Sequence, residues 1–206
     1  MQLTPLLLPL AGLPAGWSLR LLLGRLRRGV AIPPGWCEVA VPLLWSISTA
    51  LSYTGALPRA GLPLCLVVGW LLVAFSCTDL LAGRLPNALT LPAVPLVAAV
   101  LWTAGSATLT RALLAGAALF TTYAVAHAMS RSGLGAGDVK LAPSAGMALG
   151  AMSWPAVALG AFGGLALTAL FGLWWRRTGR AIPHGPPLLA AVWLVADCPR
   201  LVTVLT

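Results

Sequence analysis

The chain of 206 residues is 59% hydrophobic and only 8% charged, with a mean hydropathy of +0.93. Soluble domains carry about one quarter charged residues, so this composition excludes an ordinary soluble enzyme or binding domain. The formal net charge of +9 does not indicate nucleic acid, because the basic residues fall between apolar segments, where anionic lipid accounts for them.

Apolar segments of roughly 20 residues, the length that spans a bilayer, recur along the whole chain. They predict an all-α, polytopic membrane helix bundle of about eight transmembrane helices, as one membrane-embedded domain over residues 1–206. In chain order the predicted helices are Leu3–Leu23, Cys37–Leu57, Leu62–Leu81, Ala88–Ala104, Leu109–Met129, Val139–Ala151, Trp154–Trp175 and Leu188–Val204. The sixth is short for a full span, so we expect it to begin inside the membrane face.

The first segment has no basic residues ahead of it, which favours a retained helix over a signal peptide. Alternate loops are basic, and the positive-inside rule places them in the cytoplasm and both termini outside. The basic set comprises Arg25, Arg27, Arg28, Arg84, Arg131, Lys140, Arg176, Arg177 and Arg180, whereas the intervening loops hold Arg59 and Arg111. The sequence thus predicts a multi-pass protein of a bacterial inner membrane, with the lipid bilayer as a partner.

Cysteines and histidines show no spacing that is typical of a metal site. The cysteines stand singly, without a CxxC pair, and are interpreted as buried apolar residues. The only histidines, His127 and His184, are assigned to helix packing or loop solvation. We therefore expect no metal, and no serine–histidine or cysteine–histidine catalytic set.

Acidic residues are rare in this chain, and a carboxylate at or within a bilayer is costly enough to need a reason. The four acids are Glu38, Asp79, Asp138 and Asp197. Glu38 lies beside the first basic loop and can be solvated there, and Asp197 is one turn from Arg200. We assign structural roles to these two.

Asp79 lies near the end of the predicted third helix, which Gly83 and Pro86 terminate. One interpretation is structural, with the carboxylate held by Arg84 about one turn later. The second interpretation is catalytic, and it depends on a partner acid on the same side of the membrane.

Asp138 supplies that partner, because it ends a glycine-rich run, residues 133–138, on the same predicted side. A flexible turn is one explanation of the run. Glycine also lets another backbone approach closely, as an extended substrate must. Two neighbouring carboxyl groups cannot both ionise cheaply, so one stays protonated and the other charged. Such a pair is the acid and base of an aspartic peptidase.

Three stretches of this sequence resemble the type IV prepilin peptidases, a branch of the GxGD membrane aspartic proteases. The first is D-x4-R-L-P-N at residues 79–87, the second is GAGDVKL at residues 135–141, and the third is IPHGP at residues 182–186. Their order and spacing agree with the family, and the resemblance covers nearly the whole chain.

The resemblance implies that Asp79 and Asp138 are the catalytic pair, facing the cytoplasm near the membrane surface. It also implies substrate-binding or loop-shaping roles for Arg84, Pro86, Asn87, Gly135, Gly137, Lys140, Pro183, Gly185 and Pro186. The family removes short basic leaders from prepilins and the related pseudopilins, in type IV pilus and type II secretion systems. Those proteins are the expected substrates.

Many members of the family also methylate the new amino terminus with S-adenosylmethionine. These members carry a cytoplasmic insert with paired cysteines after the first helix, whereas only residues 29–36 separate Arg28 from Cys37 here. We therefore expect a dedicated peptidase that needs no cofactor, with S-adenosylmethionine required only if methylation is retained. His184 also replaces a residue that is often aromatic in the family.

Two other functions are compatible with intramembrane acids and glycine-broken helices. A transporter or channel predicts acids near the bilayer midplane in two repeated halves. A non-catalytic scaffold for pilus assembly predicts replaceable aspartates. The two acids instead lie beside basic loops, and no half-repeat is visible in the sequence, which favours the peptidase.

Overall fold

The computed structural model describes residues 4–26, 29–131, 133–179 and 182–204. Within them the chain forms α1 (Thr4–Arg25), α2 (Trp36–Tyr53), α3 (Leu62–Ala82), α4 (Asn87–Leu101), α5 (Ser106–Met129), α6 (Ala136–Gly150), α7 (Trp154–Trp175), α8 (Gly185–Asp197) and the short α9 (Arg200–Val204). Single turns of 3-10 helix occur at Arg59–Gly61, Trp102–Ala104 and Arg176–Thr178. The described residues contain no strand, so the predicted all-α class is confirmed.

Several of these helices are suited to a membrane. Among the described residues, five are long and apolar enough to cross one, at Leu7–Arg25, Arg59–Ala82, Asn87–Ala104, Ser106–Met129 and Trp154–Trp175. The number is smaller than the eight predicted, in part because α6 and α8 have only 15 and 13 residues, fewer than the roughly 20 that span a bilayer. The chain is nevertheless a multi-pass membrane protein.

Two predicted boundaries are wrong for identifiable reasons. The last predicted helix is two helices, because Pro199 has no backbone N–H and interrupts it between α8 and α9. The sixth helix begins at Ala136 rather than Val139, so Asp138 lies in its first turn. The predicted helix start at Leu3 and the predicted loop cations Arg27, Arg28 and Arg180 lie outside the described residues.

α6 is the central helix, packed against α5, α4, α7 and α8, and most of its residues are buried. Glycines make this packing possible. A Cβ atom added to Gly146 would lie 2.6 Å from the Ala115 carbonyl oxygen of α5, and one added to Gly160 would lie 2.5 Å from Leu149. Gly146/Gly150 and Gly160/Gly164 are pairs of small residues four positions apart, a spacing that is typical of close helix packing. These small residues let the helix backbones approach closely.

Two of the four acids serve the bundle. Glu38 pairs with Arg20 of α1 and accepts the Gly35 backbone N–H at 3.0 Å, which caps α2. Asp197, at the end of α8, accepts a hydrogen bond from Ser48 of α2 at 2.9 Å. Both acids therefore have contacts within the bundle, where Glu38 is held by Arg20 rather than by solvent and Asp197 is held by Ser48.

The four cysteines are unoxidised, and three of them, Cys37, Cys65 and Cys77, are buried. Cys37 of α2 and Cys77 of α3 face each other with their sulfur atoms 3.9 Å apart. No group of three or more His, Cys, Asp or Glu side chains in the described part of the chain is arranged to hold a metal ion.

Candidate active site

The loops that follow α3, α5 and α7 meet at one end of the bundle, around Leu85. A Cβ atom added to Gly137, at the start of α6, would lie 2.9 Å from the Leu85 Cβ atom. A Cβ atom added to Gly185, at the start of α8, would lie 3.2 Å from Leu85 Cδ1. Leu85 is thus clamped between two helix starts, and both contacts depend on glycine. This clamp brings the end of α3 to the amino ends of α6 and α8.

Asp79 lies one turn before the end of α3 and points toward the start of α8. Gly83 ends α3 in the left-handed conformation, with φ of 59°, and its N–H donates to the Asp79 carbonyl oxygen at 2.8 Å. The Gly185 backbone N–H acts on the Asp79 carboxylate as a hydrogen-bond donor. Because Pro186 and Pro187 have no N–H, Gly185 presents the donor at this helix end.

The structural interpretation of Asp79 required an ion pair with Arg84, and it is wrong. Arg84 is exposed, and within the described residues it forms no ion pair with Asp79. The left-handed Gly83 turns the chain out of the helix, so Arg84 does not continue the helical face of Asp79. The carboxyl group of Asp79 is therefore not neutralised by this cation.

Asp138 is the third residue of α6 and only 8% exposed. Its carboxylate lies against Gly135, the N-cap residue of α6, whose backbone N–H favours the charged form. A Cβ atom added to Gly135 would lie 3.1 Å from Asp138 Oδ2. The glycine-rich run is thus more than a flexible turn, because it forms a cap that holds the acid at the helix start.

The two carboxyl groups act on each other. Asp138 lies outside the five apolar spans, and burial, followed by the charge of Asp79, raises its pKa to about 7. The Gly135 N–H opposes this rise, because it favours the charged carboxylate. No cation in the described part of the chain pairs with either acid. A protonated Asp138 can therefore stand beside an ionised Asp79 near neutral pH.

Other predicted site residues surround the acids. Lys140 Nζ donates to Asn87 Oδ1 at 2.8 Å, which ties α6 to the first residue of α4. Pro86 is buried, and it begins α4 from an extended conformation. Pro183 is buried and Pro186 half-buried on either side of the Gly185 start of α8. Arg84 is exposed and forms no ion pair among the described residues.

Sequence reasoning missed a polar cluster that lies beside the acids. His184 is 8% exposed, with Nε2 at 2.8 Å from the Tyr123 hydroxyl and Nδ1 at 2.7 Å from Thr168 Oγ1. We had assigned His184 to packing or solvation, and no motif singled out Tyr123 or Thr168. A signal for this cluster was present in the sequence, because His184, next to Gly185, replaces a residue that is often aromatic in the resembled family. The partners were not visible, because they lie on α5 and α7.

This fold and this site define a class: a multi-pass membrane helix bundle with one buried and one half-buried carboxyl group at one end, neither of them paired with a cation of the described residues. The model of the type IV leader peptidase family matches residues 65–173, more than half of the chain, and the matched region contains both acids. The chain belongs to the type IV leader peptidase family, and it is a protease of the leader peptidase type. No curated protein and no solved structure matches the chain.

Proposed function

We propose that the chain is an aspartic endopeptidase that removes the basic leaders of type IV prepilins or pseudopilins. The observation that carries this proposal is the pair formed by Asp79 and Asp138. Both acids lie within the region that matches leader peptidases, each lies against a glycine at a helix start, and neither pairs with a cation among the described residues.

The chemistry needs one ionised and one protonated carboxyl group. The ionised member takes a proton from water as the water oxygen attacks the scissile carbonyl carbon, and the protonated member gives its proton to the carbonyl oxygen. The tetrahedral intermediate then breaks its C–N bond, and the leaving amine receives the proton that the base had taken. A hydroxyl group of the intermediate returns its proton to the acid as the carbonyl group of the product forms. Both carboxyl groups return to their initial states, so two acids and a water molecule suffice. We propose that the peptidase needs no cofactor.

The position of the acids suits a substrate that is cut close to a membrane helix. Asp79 lies near the end of α3 and Asp138 in the first turn of α6, rather than midway along a span as a transporter predicts. The positive-inside rule favours the cytoplasm for this end, and the match to the leader peptidase family supports a location in the bacterial inner membrane. The exposed Gly133 and Gly135 of the α5–α6 loop leave room for the extended backbone of the leader junction.

Co-expression with candidate prepilins, followed by amino-terminal sequencing of the product, tests this proposal. We expect a product that lacks its leader. Its first residue should be the one that follows the glycine at the end of the leader. The Asp79→Asn variant, expressed at the same level, is the control and should leave the leader in place. Absence of cleavage by the wild-type chain, or cleavage by the variant, would overturn the proposal.

We further propose that the enzyme is a dedicated peptidase, without S-adenosylmethionine-dependent methylation. The α1–α2 connection is short, and Cys37 lies just after it in a buried position against Cys77 rather than in a paired-cysteine insert. Mass spectrometry of pilin matured by this enzyme alone, with and without S-adenosylmethionine, decides the point. A cofactor-dependent gain of one methyl group at the new amino terminus would refute it.

A further inference from the structure

Two thiols face each other across the interface between α2 and α3. Cys37 is the second residue of α2 and Cys77 lies near the end of α3, and both are buried and unoxidised. Their sulfur atoms are 3.9 Å apart. Cys77 precedes Asp79 by two residues on the same helix, so the pair lies at the end of the bundle that carries the acids.

The pair is close to the geometry of a disulfide. A disulfide holds its sulfur atoms about 2.05 Å apart, so an approach of roughly 2 Å would join the two residues. The other two cysteines belong to the opposite end of the bundle. Cys65 lies at the start of α3, in a cluster with Leu57 and Ala196, and Cys198 follows the last residue of α8.

A cavity between α2 and α3 gives access to this pair. It has a volume of about 290 Å³, and its walls include Trp36 and Ala40 of α2 and Val73 and Cys77 of α3. A small, uncharged oxidant such as hydrogen peroxide fits this space. The cavity also leaves room for the two helices to move toward each other.

Contacts with α1 hold the start of α2 in place. A Cβ atom added to Gly16 of α1 would overlap the Cys37 carbonyl group, and Arg20 of α1 pairs with Glu38. A shift of Cys37 toward α3 would disturb both contacts, whereas a shift of α3 toward α2 would only fill the cavity. The movement that closes a disulfide therefore belongs to α3, the helix that carries Asp79.

We propose that Cys37 and Cys77 are a peroxide-sensitive thiol pair, and that their disulfide displaces Asp79 and switches the enzyme off. The effect on activity rests on the peptidase function proposed above, whereas the formation of the disulfide does not. The nearby end of the bundle is the proposed cytoplasmic end, where cellular reductants keep thiols reduced. The disulfide is therefore a transient, reversible state.

The oxidation needs only the two thiols and hydrogen peroxide. The thiolate of one cysteine takes an oxygen atom from peroxide, which breaks the O–O bond, forms a sulfenic acid and releases hydroxide. The second thiol attacks the sulfenic sulfur, so the S–S bond forms, the S–O bond breaks and water leaves. The thiols together lose two protons and two electrons, and peroxide is reduced to two water molecules.

Mass spectrometry of the purified full chain in proteoliposomes tests the disulfide without an activity assay. Hydrogen peroxide should lower the intact mass by two hydrogen atoms, and digestion should then yield a peptide pair that links Cys37 to Cys77. Dithiothreitol should reverse both changes. Absence of this link, or a link through Cys65 or Cys198 in its place, would overturn the proposal.

Leader cleavage, measured before and after peroxide, tests the switch. Oxidation should lower kcat at least about tenfold, because small displacements of a catalytic group have effects of that size or larger. Dithiothreitol should restore the rate. Cys37→Ala and Cys77→Ala should each cleave the leader when reduced and lose the sensitivity to peroxide. The double variant Cys65→Ala, Cys198→Ala is the matched control, and it should keep the sensitivity because it retains the pair.

The possible failures are distinguishable. Inhibition by peroxide that persists in Cys37→Ala or Cys77→Ala, or a full rate in the cross-linked wild type, would overturn the switch. Protein abundance and thermal unfolding show whether each variant folds, and if one does not, the disulfide map and rate of the wild type still decide. Absence of cleavage by the reduced wild type would overturn the peptidase assignment, whereas the mass measurement would still decide whether the thiol pair exists.

Discussion

The two ends of α6 are held by opposite means. At its carboxyl end, Arg111 of α5 donates to the Gly150 carbonyl oxygen at 2.6 Å and to the Ala151 carbonyl oxygen at 2.8 Å. A cation there satisfies carbonyl groups that have no partner within the helix. At the amino end, Asp138 lies against Gly135 and stands near a second acid, with no cation on either among the described residues.

Asp197 extends this comparison, because it is buried at the far end and Asp138 at the near end. Their exposures are 2% and 8%. Asp197 accepts a hydrogen bond from Ser48, and no second acid is among its described contacts. The comparison teaches that burial alone does not mark a reactive carboxyl group. The neighbours of the acid distinguish a packing role from an acid–base role.

The largest expected effect separates the acids at the two ends. Asp79→Asn and Asp138→Asn should each lower the initial rate of leader cleavage by more than about 100-fold, because an amide cannot cycle a proton. Asp197→Asn is the matched control and should keep most of the activity. The rates would be measured in proteoliposomes at equal protein abundance. Cleavage in either site variant, or an equal loss in the control, would contradict the comparison.

The glycine contacts at the site should be the next most sensitive feature. A methyl group on Gly137 would press on Leu85 and displace the start of α6, which carries Asp138. We expect Gly137→Ala to lower kcat by roughly 10- to 100-fold, since small displacements of a catalytic group have effects of that size. Gly24→Ala is the control, because a Cβ atom there meets nothing within 4 Å. Equal activities of the two variants would refute the clamp.

Lys140 should have a smaller effect, because its contact with Asn87 is exposed. Lys140→Gln loses the ammonium donor, and a hydrogen bond worth about 1 kcal/mol corresponds to a change of roughly fivefold. We expect a decrease of that order in kcat/KM, reproduced by Asn87→Leu and not enlarged in the double variant. The exposed Arg177, changed to Gln, controls for the loss of one positive charge. A loss in the double variant equal to the product of the single losses would show independent roles.

The smallest expected effect is on thermal stability. The pKa of Asp138 is about 7 in the folded chain, above the 3.8 of an unperturbed aspartate. The folded state therefore binds this proton more tightly than the unfolded chain does, and that contribution is lost as pH rises through about 7. In detergent, the wild type should lose stability between about pH 4 and pH 8 relative to Asp138→Asn. Parallel melting temperatures across this range would contradict the raised pKa.

The sequence was sufficient to predict the all-α class and to single out both acids as candidates, because these signals are local. Apolar length marks the spans, and Asp79 and Asp138 lie in short motifs with fixed spacing. The ion pair of Asp79 with Arg84 was also inferred from spacing, and it was wrong because Gly83 ends the helix in a left-handed turn between them. A single backbone conformation decided that contact.

Contacts between distant elements could not be predicted. Leu85 lies between Gly137 and Gly185, which are separated from it by about one and two helical hairpins along the chain. Tyr123 and Thr168 meet His184 only because α5 and α7 flank the start of α8. No periodicity encodes such meetings, since they depend on how the helices pack rather than on how each helix forms.

The two prolines that follow Gly185 have a consequence for the energetics of charge movement. Proline fixes φ, so the chain after Gly185 has few conformations to lose on folding, and little freedom in the folded state. The N–H dipole that faces Asp79 is therefore already oriented before any charge forms or disappears there. A dipole oriented in advance has a small reorganisation energy, whereas water would have to turn each time the proton moved.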